Sequence, residues 1–95
     1  MKTYIEQIKR KILPVLQRYD VVRAAIFGSL ARGETKQGSD IDILVEFAGE
    51  KSLLDLAGLK IELEELLGVR VDVLTYGSLH PLLKDKVLSE QEVIL

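Results

Sequence analysis

Apolar residues recur at steps of three and four over the first nineteen positions. Ile5, Ile8, Ile12, Val15, Leu16 and Tyr19 share one stripe, which predicts a helix from about Thr3 to Arg18 with Pro14 as a point for a kink. The pattern then changes to a β-branched and apolar run, Val21 to Phe27, whose length suits a buried strand. Gly28 ends that run. Residues 29 to 39 hold Gly33, Thr35, Gly38 and Ser39 among charges, which predicts a short helical turn followed by a loop. From Asp40 to Phe47 the alternation is strict. Asp40, Asp42, Leu44 and Glu46 face one way, and Ile41, Ile43, Val45 and Phe47 face the other. Ser52 and Asp55 have the spacing of a capping box ahead of Leu53, Leu56, Leu59, Leu63 and Leu66, and Gly68 supplies a stop. Val69, Val71 and Val73 alternate with polar and apolar partners in a third strand. Tyr76-Gly77-Ser78 then turns the chain toward a last helix, about Pro81 to Leu88, which His80 precedes. Glu92 to Leu95 fits either a short edge strand or a tail that docks a partner.

The order helix, strand, short helix, strand, helix, strand, helix describes an α/β or α+β fold with a small sheet flanked by helices. Ninety-five residues, 47% of them apolar, suffice for one domain over residues 1–95 with one modest core. A large substrate must then be held from outside. The balance of 13 basic against 15 acidic side chains argues against general nucleic-acid binding, which depends on a strongly basic surface. That average hides a split: residues 1 to 36 carry eight basic and three acidic side chains, residues 37 to 95 five and twelve. Such a split suits a metal and phosphate site, and equally an ordinary solvated surface. There is no cysteine, so disulfides, thiolate metal sites and a cysteine nucleophile are excluded, and the one histidine excludes a multi-histidine metal site. The amino-terminal stretch lacks the continuous apolar run of a signal peptide, and no segment reaches the length of a membrane span. A cytoplasmic protein with no membrane partner is the expectation.

Asp40 and Asp42 stand two apart on a strand, so their carboxylates project to one face, roughly 7 Å apart at the backbone. Burying unpaired carboxylates costs several kcal/mol, and a divalent cation with oxygen ligands, Mg²⁺ or Mn²⁺, would offset that cost. An Asp-x-Asp alone also fits a wet strand at a sheet edge. Upstream, Gly28 and Ser29 open a helical turn, where backbone N–H groups beside a glycine and a hydroxyl can cradle a phosphate. The same pair also fits an ordinary serine cap. If both groups meet one nucleotide, the first strand's end lies beside the second strand's start, and the two strands are antiparallel neighbours. The third strand follows through a helical crossover and so runs parallel to the second. Asp72 then lies near Asp42, unless it is spent on an ion pair with Arg70 or Arg32. No Gly-Lys-Ser/Thr or Gly-x-Gly-x-x-Gly loop occurs, so Walker and Rossmann readings fail. His80 has no catalytic role in this reading. Tyr4, Tyr19 and Tyr76 fit core, stacking or modification sites alike.

Gly28-Ser29, ten residues, then Asp40-Ile41-Asp42 resembles the signature of the DNA polymerase β-like nucleotidyltransferases. The fuller run Gly28-Ser29-Leu30-Ala31-Arg32-Gly33 and Gly38-Ser39-Asp40-Ile41-Asp42 is similar to their smallest branch, the MntA-like minimal nucleotidyltransferases, over essentially the whole chain. The resemblance implies the polymerase β-like fold with a mixed three-stranded sheet in the order 1-2-3. It implies that Gly28 and Ser29 contact a nucleotide's phosphates, and that Asp40, Asp42 and Asp72 hold two Mg²⁺ ions, with Asp72 also a candidate base. Arg32 is a further candidate phosphate contact; Lys36 is a weaker one. The implied reaction is attack of a hydroxyl on the α-phosphorus of an NTP, taken as ATP from the resemblance alone.

Larger members of the family carry a second domain for the base or acceptor, and this chain has no room for one. The resemblance implies instead a separate HEPN-domain partner, a toxin whose tyrosine receives AMP, with this chain as the antitoxin. Two alternatives stand beside it: a non-catalytic module that occludes the HEPN protein, and nucleotidyl transfer to a small molecule. Homo-oligomerisation and the choice of base are left open by the sequence.

Overall fold

The computed structural model describes residues 2–33 and 40–95. The elements are α1 (Lys2–Arg18), β1 (Val21–Phe27), α2 (Gly28–Ala31), β2 (Ile41–Phe47), α3 (Leu53–Leu67), β3 (Val71–Thr75), a 3₁₀ turn (Tyr76–Ser78), α4 (Pro81–Glu90) and β4 (Glu92–Val93). The expected order holds throughout, with one strand more. β1 and β2 pair antiparallel, β2 and β3 parallel, and β4 adds antiparallel to the outer edge of β1, giving the order β3-β2-β1-β4. The expected sheet of three strands is thus a sheet of four. Its two-residue fourth strand is too short to show an alternation in sequence, and of the two readings of the tail the edge strand is the one found.

One face of the sheet carries the main core. Ile41, Ile43 and Val45 of β2, Ala24 and Ile26 of β1 and Val71 and Val73 of β3 pack there against Ile5, Ile8, Ile12, Val15 and Leu16 of α1 and Leu59 and Leu63 of α3. α1 runs through Pro14 at an exposed position, where the carbonyl that loses its N–H partner can still be solvated. α3 begins on the capping box read from the sequence: Ser52 Oγ accepts the Asp55 N–H, and the Asp55 carboxylate accepts the Ser52 N–H at 3.0 Å. Gly68 closes it with φ 72°, the left-handed geometry that favours glycine. β3 starts two residues later than the alternation predicts, and a side-chain bridge marks its entry. Glu64 of α3 accepts the Val71 N–H at 2.9 Å, and Lys60 donates to the Val71 carbonyl at 2.6 Å.

The other face is not wet at its middle. Leu44 and Ala25 are fully buried there, outside the main cluster. Tyr76 crosses this face, with the Arg23 guanidinium 4.1 Å from its ring centre, and its Oη donates to Gln91 at the end of α4. Stacking is therefore the role found for Tyr76. Tyr4 and Tyr19 pack at the border of the core, and Tyr19 Oη donates to Glu62. His80 caps α4 by accepting the Leu82 N–H at Nδ1, 3.1 Å away. No helix among the described residues is long and apolar enough to cross a membrane.

Candidate active site

Strand register assembles the site. Asp42 stands opposite Phe27 on β1 and opposite Asp72 on β3, so the residue that follows Phe27, Gly28, arrives directly at the Asp42 carboxylate. β2 is interior to the sheet, which removes the reading of a wet edge strand. Gly28 takes φ +75°, and a Cβ built on it would overlap Asp42 Oδ2 and lie 3.2 Å from Asp42 Cγ. The glycine is thus required by the close approach of backbone to carboxylate as well as by its own dihedral. α2 starts there without a side-chain cap, leaving the opening N–H groups of the turn without intrahelical partners.

Asp42 is half-buried. Burial, followed by the charges of Asp72 and Asp40 and a hydrogen bond with Asp72, pushes its carboxyl above the usual carboxylate range, while Arg32 pulls it back. Asp42 and Asp72 therefore form the close pair that the crossover argument predicts. Asp72 is not consumed by either ion pair considered for it, for it is Asp40 that faces Arg70, at 3.9 Å. Both of those side chains are largely exposed, and an exposed pair at that distance contributes little. The consequence is that the three carboxylates share one end of the sheet without closing into a three-ligand cluster; among the described residues no such cluster occurs. The donor set is nonetheless the one a hard divalent cation takes, all oxygen, with the like charges of Asp42 and Asp72 held side by side.

Arg32 follows α2 as its C-cap, and its guanidinium pairs with Glu90 at 3.2 Å. Sequence reasoning gave Glu90 no place in the site. It lies 58 residues from Arg32, and no local pattern marks it. The side chain of Ser29 and the loop with Lys36, Gly38 and Ser39 lie outside the described residues.

The description "nucleotidyltransferase domain" names the sequence family that matches residues 8–94. The chain belongs to that family. It is an enzyme of the nucleotidyltransferase class, and relatives sharpen the comparison. A protein of Methanocaldococcus jannaschii, provisionally named a protein adenylyltransferase, is 64% identical over 91 residues, covering 96% of this chain and 98% of its own. The protein adenylyltransferase MntA of Thermococcus cleftensis is 45% identical over 74 residues, 78% of this chain and 75% of that one. Among solved structures, one described provisionally as a minimal nucleotidyltransferase superposes with a TM-score of 0.80 at 43% identity, covering 94% and 91% of the two chains. A toxin–antitoxin crystal structure with AMP-PNP gives 0.79 at 25% identity, covering 92% of this nucleotidyltransferase and 72% of that chain.

Proposed function

We propose that this nucleotidyltransferase transfers AMP from ATP to a hydroxyl of a partner protein, a tyrosine of a HEPN-domain toxin, and so acts as the antitoxin of the pair. The observation that carries the reading is the register that sets Gly28, Asp42 and Asp72 side by side at the end of the sheet. The names of the relatives, and the AMP-PNP in a structurally similar toxin–antitoxin complex, support the choice of ATP and of a protein acceptor.

Asp40, Asp42 and Asp72 would hold Mg²⁺, which supplies charge neutralisation at the phosphates and a lower pKa for the attacking hydroxyl. The residues of the chain do the rest. The turn at Gly28 receives phosphate oxygens on its opening N–H groups, and Arg32 offers a planar fork of donors to the same phosphates. Asp72, the more exposed member of its pair, is placed to accept the proton of the acceptor hydroxyl. The acceptor oxygen forms its bond to the α-phosphorus, the bond from that phosphorus to the β-phosphate oxygen breaks, and pyrophosphate leaves.

Inhibition by occlusion alone is the second reading, favoured by Leu83 of α4, which is 55% exposed and lines the cavity beside Gly28. Co-expression with the HEPN partner at native levels separates the two. Asp42→Asn should lose protection if transfer is required, whereas an occluding antitoxin would protect fully with that substitution.

A further inference from the structure

Arg32 is gripped from the far end of the chain. Its Nη1 lies 3.2 Å from Glu90 Oε2, and the two side chains are only 36% and 29% exposed, so the pair is partly shielded from water. Glu90 ends α4, and the last residues of the chain anchor that end. The Ile26–Glu92 and Ala25–Val93 pairings tie β4 to β1 just before that strand delivers Gly28. Ala24 bonds Ile94 and Leu95, and Tyr76 bonds Gln91. One strand thus sets both the phosphate turn and the carboxylate that faces Arg32. Beside the pair lies an open cavity of about 200 Å³ whose lining includes Gly28, Arg32, Lys86 and Glu90.

Arg32 also acts electrostatically on Asp42. A guanidinium within reach of a half-buried, mutually repelling carboxylate pair is drawn onto it, where it would occupy the oxygens that a cation needs. Glu90 instead holds Arg32 Nη1 at 3.2 Å. We propose that Glu90 is a positioning residue that holds the Arg32 guanidinium off the Asp42–Asp72 pair and at the rim of the cavity, keeping the acidic seat open for a divalent cation and Arg32 ready for phosphate. The guanidinium has five N–H donors, so a bond from Nη1 to Glu90 is compatible with a phosphate contact from the same group. The inference rests on the reading of Asp42 and Asp72 as cation ligands and of Arg32 as a phosphate contact.

The test is binding of Mn²⁺, followed by electron paramagnetic resonance with and without AMP-PNP, to the full chain and to its Glu90→Gln, Arg32→Ala, doubly substituted and Asp42→Asn variants. Glu90→Gln should weaken Mn²⁺ binding by roughly fivefold or more, the scale of coupling between contacting charged residues. In the Arg32→Ala background the same substitution should have no effect, a result that a general loss of structure would not produce. Glu90→Asp should recover part of the binding. Wild-type binding by Glu90→Gln, or an equal loss with Arg32 removed, overturns the role of Glu90. If the unaltered chain binds Mn²⁺ no better than Asp42→Asn, the seat itself is refuted and the proposal falls with it.

Discussion

Gly28 and Asp42 constrain each other at the closest point of the site. Alanine at position 28 meets two obstacles: a positive φ, which costs about 1–2 kcal/mol for an L-residue, and a Cβ that overlaps Asp42 Oδ2. Gly33 is the control, since it has φ +76° with nothing within 4 Å of an added Cβ. Gly28→Ala should therefore lower the melting temperature more than Gly33→Ala, and it alone should abolish nucleotidyl transfer; equal activity of the two variants would contradict the close-approach role. Asp42 gives a second expectation. Its carboxyl binds a proton more tightly in the fold than in the unfolded chain, so its contribution favours the fold below the unfolded-state pKa and is lost as pH rises through the folded-state value. Asparagine carries no such charge at any pH. Without metal, Asp42→Asn should melt a few degrees above the unaltered chain at neutral pH, the gap closing as pH falls through the carboxylate range. A gap of opposite sign in thermal melts would show that Asp42 is compensated after all.

Among the elements, those bounded by local chemistry were legible in the sequence. α3 is one: Ser52, Asp55 and Gly68 are neighbours of the turns they close, so the capping box and the left-handed stop are written within a few residues. Ser52→Ala should cost about 1 kcal/mol of stability by chemical denaturation, with transfer unchanged below the melting range because Ser52 lies far from the carboxylates in the fold. β2 is another, its alternation placing Ile41, Ile43 and Val45 in the core and Asp42 on the opposite face. The burial of Leu44 on that second face was not legible, because it depends on Tyr76 and α4 folding back over the sheet. For β4 the sequence left an edge strand and a docking tail open for a related reason: two residues carry no period, and the strand exists through its pairing with β1. Of the candidate site, Gly28, Asp42 and Asp72 could be read from spacing and strand direction. The turn of Asp40 toward Arg70 and the grip of Glu90 on Arg32 could not, since both are set by tertiary contacts between distant segments.

At the scale of the molecule, the chain has a basic first third and an acidic remainder, and at the end of the sheet Arg32 of the first acts on Asp42 of the second. Such a pairing suits a nucleotide's phosphates together with the cation that accompanies them. Removal of the cation should therefore abolish transfer: EDTA should stop it fully, and Mn²⁺ should restore it in place of Mg²⁺, whereas transfer that persists in chelator would exclude the carboxylate seat from the chemistry. The most direct measurement is the intact mass of the HEPN-domain protein proposed as partner after incubation of the two with Mg²⁺ and ATP, with Asp42→Asn in parallel. A gain of about 329 Da per transferred AMP on the partner, seen with the unaltered nucleotidyltransferase and absent with the variant, is the predicted result for metal-supported transfer at the α-phosphorus. A stable complex whose partner mass does not change would contradict it.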